Sequence, residues 1–383
     1  MQHIVVVGGG AAAVSAVEAL RQDSFTGEIT LVSAESGLPY DRPPLSKQVL
    51  AGQWEIERTA LRRPEEIDAL SVAWLGGRSA TALDPVGGTV TLDSRRQLAY
   101  DGLIIATGVS ARPLPFGADL AGVHVLRTEA DARALRTAFD TGSRLVVVGA
   151  GLIGSEVAAT ARKLGLDVAL VDPAPVPLMR QLGEHFGELM TQAHRANGTE
   201  LHLGTGVRNL TGVDGQVTAV ELDDGTTLPA DCVLVAVGSV PSTDWLAGSG
   251  LGLDRGALVC DQYCQAAPGI YAAGDVAAWQ HPGYGRRLRI EHRTNATEQG
   301  RAAARNLLGA EQPFSPVPYF WTDQYDIKIQ GYGLLEGEDV EIAEGSPEDG
   351  RFIAVYRSGG KPIGALGWNS ARRMRHFRPL LDA

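Results

Sequence analysis

Two glycine clusters carry the first chemistry that can be read from this chain. Near its start, Gly8, Gly9 and Gly10 follow the apolar run Ile4 to Val7 and precede Ala11, Ala12 and Ala13. Where a buried strand breaks sharply into a helix, backbone N–H groups alone can hold a pyrophosphate, because unpaired donors and the helix dipole both favour negative charge there. The G-x-G-x-x-A spacing supplies Gly8 for the tight turn, Gly10 for close approach of backbone to phosphate, and Ala13 for close packing of helix on strand. A glycine-rich turn of this kind also occurs as plain structure, but here the pattern recurs. Gly149, Gly151 and Gly154 follow Leu145 to Val148, Gly165 ends the next helix, and the strand Val168 to Val171 runs into Asp172. Asp172 lies 18 positions after Gly154, close to the ~20 expected of an acid that accepts hydrogen bonds from an adenosine ribose. Two dinucleotide sites in one chain imply two redox cofactors.

The first fold needs an acid of its own. Glu35 stands 25 positions after Gly10, beyond the strand Ile29 to Val32. It reads either as that ribose ligand or as a solvated turn residue, with Ser33 or Ala34 at the carboxylate position. The following Asp41-Arg42-Pro43-Pro44-Leu45-Ser46-Lys47 sets two prolines, which fix φ and lower the entropy cost of holding nearby side chains, beside two cations. Arg42 and Lys47 either face an anionic or electron-rich cofactor or, in the plainer reading, open a helix with Lys47 in solvent. In the second fold no cation follows Asp172 until Arg180. An acid there repels a 2′-phosphate, which favours NADH over NADPH.

These sites need more than one core to position them. A chain of 383 residues suggests two or three domains at roughly 150 residues each. Asp214-Gly215 and Asp224-Gly225 are hairpin signals, and the strand Cys232 to Val237 leads to Gly238 and Pro241. A net charge of −11 and a pI near 5.3 argue against nucleic-acid and anionic-membrane partners. No stretch of about 18 apolar residues exists, and no charged leader precedes the first strand, so the expectation is a soluble, cytoplasmic protein. Cys232, Cys260 and Cys264 fit neither a zinc site nor a C-x-x-C redox centre and read as packing residues. No metal site is expected, and no cysteine lies in the first half of the chain.

The segments GGGAAAVSA, PYDRPPLSK, LIIATG, GAGLIGSEVA and GIYAAGDVA, in this order, resemble the FAD-dependent ferredoxin reductases of bacterial oxygenase systems. The resemblance runs from His3 to about Tyr332. It implies an α/β protein with two Rossmann-type domains, one inserted in the other as in glutathione reductase, and a C-terminal α+β domain. The expected divisions are 1–110 with 235–310 for FAD, 111–234 for NAD, and 311–383 as an interface domain. It also places Ala12, Ala80, Ala106, Thr107, Gly108, Arg127, Gly238, Gly274 and Asp275 at the flavin, and Ile153 and Glu156 beside the nicotinamide. Asp275 would meet the ribityl chain, although an aspartate opening a helix also reads as an N-cap. Glu156, taken to lie in the first turn of its helix, would be favoured by the dipole in any protein.

Two positions depart from the family pattern. Leu152 stands where many relatives carry an aromatic over the flavin, and Arg293 where they carry Trp or a small apolar residue. Arg293 either stabilises negative charge on the reduced flavin or turns outward into the run Arg286, Arg287, Arg289. Trp321 is the candidate aromatic beside the ring system, its alternative being a place in the core with Phe320 and Tyr325. The residues nominated for the reaction are Lys47, Glu156 and Trp321, with Arg293 as a further contact.

The implied partner is an acidic [2Fe–2S] ferredoxin, and Arg286, Arg287, Arg372, Arg373 and Arg375 form the cationic patch that would steer it. A monomer or a homodimer fits equally. Other readings are a rubredoxin reductase or an NADH oxidase of the same fold, although oxidases keep a cysteine that is missing here. A third is a flavoprotein resembling apoptosis-inducing factor, with an interaction role.

Overall fold

A computed structural model describes residues 1–381, so the last two positions of the expected C-terminal domain lie outside the described residues. The chain opens on β1 (His3–Val7), whose β-branched residues Ile4, Val5 and Val6 are fully buried because both faces of the strand are covered. It leads through the glycines into α1 (Ala11–Gln22) and back to β2 (Glu28–Ser33), which pairs parallel with β1 in the register Ile4 to Ile29. Leu45–Val49 forms a π-helical turn, a form that is concentrated at functional sites. The strand β3 (Gly102–Ile105) then takes the other side of β1.

The chain next builds a second parallel sheet from β4 (Arg144–Val148), α2 (Leu152–Lys163), β5 (Asp167–Asp172), the helix α3 (Met179–Ala196) and β6 (Cys232–Val235). The hairpin expected at Asp214-Gly215 is present between Val207–Val213 and Gln216–Leu222, with Asp214 at φ 50°. The chain returns to the first sheet as β7 (Ile270–Ala272), parallel to β3, so the first fold is split in sequence and the second is inserted into it. α4 (Arg293–Leu307) packs across α1, and Gly300 is what allows the approach, since a Cβ there would stand 2.3 Å from the Ala12 carbonyl oxygen.

The last unit is a five-stranded antiparallel sheet that starts with β8 (Tyr319–Gln324) and β9 (Ile327–Gly333). It does not stand alone. Leu182, Phe186 and Met190 of α3 share one core with Phe320, Phe352 and Trp368 of the sheet, with Phe186 stacked on Phe352 at 5.2 Å. All three cysteines are buried, and burial pushes the Cys232 and Cys260 thiols up to about 12, the signature of packing residues. No helix among the described residues is long and apolar enough to cross a membrane.

Gly300→Ala forces α1 and α4 apart. It is expected to cost about 1–3 kcal/mol, more than the roughly 1 kcal/mol that alanine gains in a helix. The loss should appear as a lower urea midpoint at unchanged slope, and a midpoint equal to the parent's would show that the two helices are not in the close contact described.

Candidate cofactor and electron-transfer site

One cavity of about 1460 Å³ runs between the carboxyl ends of the two parallel sheets and is lined by both glycine clusters. Each cluster divides its labour in the same way. Gly8 at φ 133° and Gly149 at φ 106° turn the chain where a Cβ would strike backbone, 2.1 Å from Ala106 O and 2.4 Å from Ala236 O. Gly154 seats α2 on its strand, since a Cβ there would lie 1.8 Å from Gly149 O. Gly10 and Gly151, by contrast, cap α1 and α2 and face open space, with nothing within 4 Å of a built Cβ. Two helix N-termini with unpaired donors and room for a phosphate against the backbone fit two dinucleotides. Ala12, Ala80, Ala106, Thr107, Gly108, Gly238, Gly274 and Ile153 line the same cavity.

The two acids proposed for ribose are occupied differently. Glu35 turns to its own loop, accepting from the Tyr40 hydroxyl at 2.5 Å and from Arg42 at 2.8 Å. Arg42 also donates to the Arg127 carbonyl at 2.5 Å. Arg42 therefore braces the loop instead of standing as a free cation. Burial of the phenol raises Tyr40 to about 12, which keeps it a donor to Glu35. Asp172 accepts from the N–H of Ala150 at 2.6 Å and of Ala174 at 2.8 Å, one bond on each oxygen. It thus fixes the glycine loop and retains lone pairs for a further donor.

Asp275 is followed by the strand Ala277–His281, so it opens no helix and caps none. Its carboxylate instead pairs with Arg127 at 2.9 Å. The Nε of Arg127 is buried without a partner among the described residues, an unmet donor at the edge of the cavity. Arg293 does not join Arg286, Arg287 and Arg289. Its guanidinium pairs with Asp41 at 2.5 Å and also donates to Thr297, so its charge is neutralised locally. His292 caps the same helix, and burial pulls its ring down to about 4, so it is neutral at pH 7. Leu152 packs with the core shared by α3 and the C-terminal sheet, while Trp321 is half-buried, stacks at 5.9 Å on Tyr319 and lines the cavity.

At the centre sits Glu156. It falls just past the first turn of α2, so side chains rather than the dipole hold it. Ser46 donates to Oε2 at 2.5 Å and Lys47 to the same oxygen at 2.7 Å, while Thr322 donates to Oε1 at 2.8 Å. The π-helical turn aims Ser46 and Lys47 together, and Thr160 of α2 secures it by donating to the Ser46 carbonyl. Lys47 is thus ion-paired and largely buried, not in solvent. Ser46 and Thr322 escaped the sequence reading. Each is adjacent to a nominated residue, but only the fold shows that both meet one carboxylate.

The basic residues are less free than their spacing suggests. Arg286 pairs with Glu336, Arg287 with Asp254, Arg289 with Glu291 and Arg373 with Glu344. Among the described residues no acid is paired with Arg372 or Arg375, both exposed beside the short helix Ala371–Met374. No group of three or more potential metal ligands occurs among the described residues.

Comparison with known proteins follows the same outline. A family model described as pyridine nucleotide-disulphide oxidoreductase matches residues 2–300, and one described as reductase C-terminal matches 319–383. Rhodocoxin reductase of Rhodococcus erythropolis is 38% identical over 99% of this chain and 89% of its own length. The ferredoxin–NAD(+) reductase component of an anthranilate 1,2-dioxygenase system from Burkholderia cepacia is 37% identical over 99% of this chain and 94% of that protein. Among solved structures, the covalent putidaredoxin reductase–putidaredoxin complex holds a chain superposing with a TM-score of 0.94 at 34% identity, covering 99% of this chain and 93% of that one.

The neutral His292 gives the site a pH signature. Its folded pKa of about 4 lies below the ordinary 6.5, so its contribution is complete above pH 6.5 and is lost as pH falls through that value toward 4. The loss should reach about 3 kcal/mol. Urea unfolding of the parent and His292→Gln at pH 7 and pH 4.5 tests this, and equal pH dependence in the two would count against a neutral ring.

Proposed function

The chain belongs to the pyridine nucleotide-disulphide oxidoreductase family, and from that premise we propose that it is an FAD-dependent ferredoxin reductase. It takes two electrons from NADH and delivers them singly to a [2Fe–2S] ferredoxin that serves an oxygenase. The balance is one NADH and two oxidised ferredoxins giving NAD⁺, one proton and two reduced ferredoxins. The observation that carries the reading is one cavity shared by two dinucleotide cradles, with a buried Lys–Glu pair and an aromatic where they meet. The relatives and the solved complex, whose names state ferredoxin reduction and a putidaredoxin partner, support the same conclusion.

FAD, when bound, supplies the conversion between two-electron and one-electron chemistry. The chain's residues bind and orient. Gly8, Gly10, Ala12, Ala13, Ala106, Thr107, Gly108, Gly238 and Gly274 form the flavin cradle, Arg127 with Asp275 provides its polar edge, and Ala80 lines its wall. Gly149, Gly151, Ile153 and Gly154 form the NADH cradle, with Asp172 as ribose acceptor. Lys47 presents a fixed cation, held there by Glu156, and Trp321 closes one side against water. Arg42 and Glu35, paired with each other, stiffen the part of this wall that they line, and Arg293 bridges α4 to the loop at Asp41. The three parts of the chain divide as 1–110 with 235–310, 111–234 and 311–383.

The ferredoxin docks where cations remain uncompensated. Arg372 and Arg375 supply that charge, while Arg286, Arg287 and Arg373 contribute through their paired, weaker fields. The lack of any cysteine near the flavin edge disfavours an NADH oxidase, and the acidic pI disfavours a nucleic-acid-binding role. Purified protein should therefore be yellow with FAD, bleach with NADH, and reduce a [2Fe–2S] ferredoxin. Colourless protein that takes up no added flavin would refute the assignment.

Two substitutions sharpen it. Asp172→Arg removes the ribose acceptor and adds a phosphate ligand, so the ratio of kcat/KM for NADH over NADPH should fall by about tenfold or more, one lost charge-assisted hydrogen bond. An unchanged ratio would show that Asp172 serves only the glycine loop. Arg372→Glu with Arg375→Glu should raise the KM for ferredoxin severalfold at low salt, with the difference shrinking at high salt as screening takes over. A KM that does not respond would place the docking face elsewhere.

A further inference from the structure

A line of buried polar side chains leaves Glu156 in the direction away from Lys47, and the reading above gives it no role. Thr322 Oγ1 donates to Glu156 Oε1 at 2.8 Å, and Gln324 Nε2 donates to the same Thr322 hydroxyl at 3.2 Å. At the far end, Thr199 and the Tyr325 hydroxyl are 3.0 Å apart, and that hydroxyl lies 2.9 Å from His194 Nδ1. Glu156, Thr322, Gln324, His194 and Thr199 are all buried. Between the two halves, Gln324 Oε1 and His194 Nε2 are each buried without a partner. The Gln324 side chain lies close enough to the ring to favour its protonated form, against the larger opposing effect of burial.

A carboxylate can only accept, and a hydroxyl has one proton. With its proton committed to Glu156, Thr322 must accept from Gln324, which fixes the carboxamide with its nitrogen toward Thr322 and its oxygen toward His194. The remaining donor for that oxygen is His194 Nε2–H. The ring then carries its proton on Nε2, leaving Nδ1 to accept from Tyr325, which in turn accepts from Thr199. The two orphaned atoms are complementary, one acceptor and one donor, so joining them leaves both satisfied.

We propose that Thr199, Tyr325, His194, Gln324 and Thr322 form a single hydrogen-bond chain whose donors all point toward Glu156. Thr322 and Gln324 are thereby positioning residues that hold the carboxylate against Lys47. A neutral, buried ring is required at its midpoint, and burial does bring His194 down to about 4. The chain also explains why Glu156 keeps one oxygen for Lys47 and Ser46: the other is taken from the opposite side. The functional consequence rests on the ferredoxin-reductase reading, whereas the chain itself does not.

The test uses the full-length, FAD-loaded protein with ¹⁵N-labelled histidine, the His194 signals being assigned by their loss in His194→Gln. A neutral ring with Nε2 protonated at pH 7 is expected. A ring protonated on Nδ1, or charged, would overturn the proposal. Tyr325→Phe, which keeps the aromatic ring, should shift the Nδ1 resonance, and no shift would also overturn it. In stopped flow, Thr322→Val should slow flavin reduction by NADH about tenfold, the loss of one hydrogen bond to a charged group. The KM for NADH should stay within about twofold, and Thr322→Ser should restore the rate, since its hydroxyl can rebuild both bonds. An equally slow Thr322→Ser would mean that packing, not the hydroxyl, matters. Failure to bind FAD at all would sink the reductase reading and leave the ring's tautomer to be judged separately.

Discussion

A carboxylate taken out of water must be given back its hydrogen bonds, and Glu156 receives them from parts of the chain that are far apart in sequence. Serine and lysine come from the first nucleotide fold, the glutamate itself from the second, and threonine from the C-terminal sheet. Removing one donor exposes the others to an uncompensated charge, which is why buried pairs are costly to break even where they add little net stability. The consequence is geometric. None of the three parts can shift relative to the others without leaving a buried charge short of a partner, so the carboxylate fixes their relative placement at the point where electrons must pass.

The apolar packing works in the same direction. α3 belongs to the second fold by sequence, but its buried face, Leu182, Phe186 and Met190, finishes the core of the C-terminal sheet. Its first turn is set off from the rest by Gly183 at φ 70°, a conformation that costs glycine nothing and lets the helix change direction onto the sheet. On the other side, α1 and α4 are in contact through Ala12 and Gly300. The cavity is therefore backed on one side by a contact between domains and on the other by helix packing within the first fold, with the glycine turns of both folds forming its lining.

Local chemistry was legible in the sequence wherever it depends on neighbours along the chain. The glycine positions, the strand ends that follow them and the Asp-Gly hairpin are set by φ values and close approaches that only certain residues tolerate, so type and spacing sufficed. Side chains whose partners are distant were not. Glu35 is different, since its partners Tyr40 and Arg42 stand only five and seven positions on and, with one bond on each oxygen, it keeps lone pairs toward the cavity it lines. Asp275 had the context of a helix cap, but a strand follows and Arg127 claims it. Arg293 looked free to turn outward because Asp41, its partner, is 252 positions away. The cationic patch shrank for the same reason, since Glu336, Asp254 and Glu344 reach it from other strands and turns.

The strand β8 shows how little sequence is needed to serve both sides of such a junction. Its residues alternate between half-buried and buried, so Tyr319 and Trp321 share one face while Phe320, Thr322 and Gln324 share the other, and Trp321 and Phe320 both reach the cavity. A period of two thus separates the Tyr319–Trp321 stack from the hydroxyl and carboxamide that serve Glu156 within six residues. A slip of one residue would exchange them, putting Thr322 in the cavity and an indole against Glu156. That register is held from both ends: Thr322 pairs with Ile329 in the hairpin, and the turn residue Tyr325, at φ 56°, accepts from Lys163 of α2 through its carbonyl at 2.5 Å. The hairpin is therefore tied to the helix that carries Glu156 at two points, one at the carboxylate and one at the turn. This double attachment is what lets an exposed antiparallel sheet deliver side chains to a buried site with the accuracy that electron transfer at the junction requires.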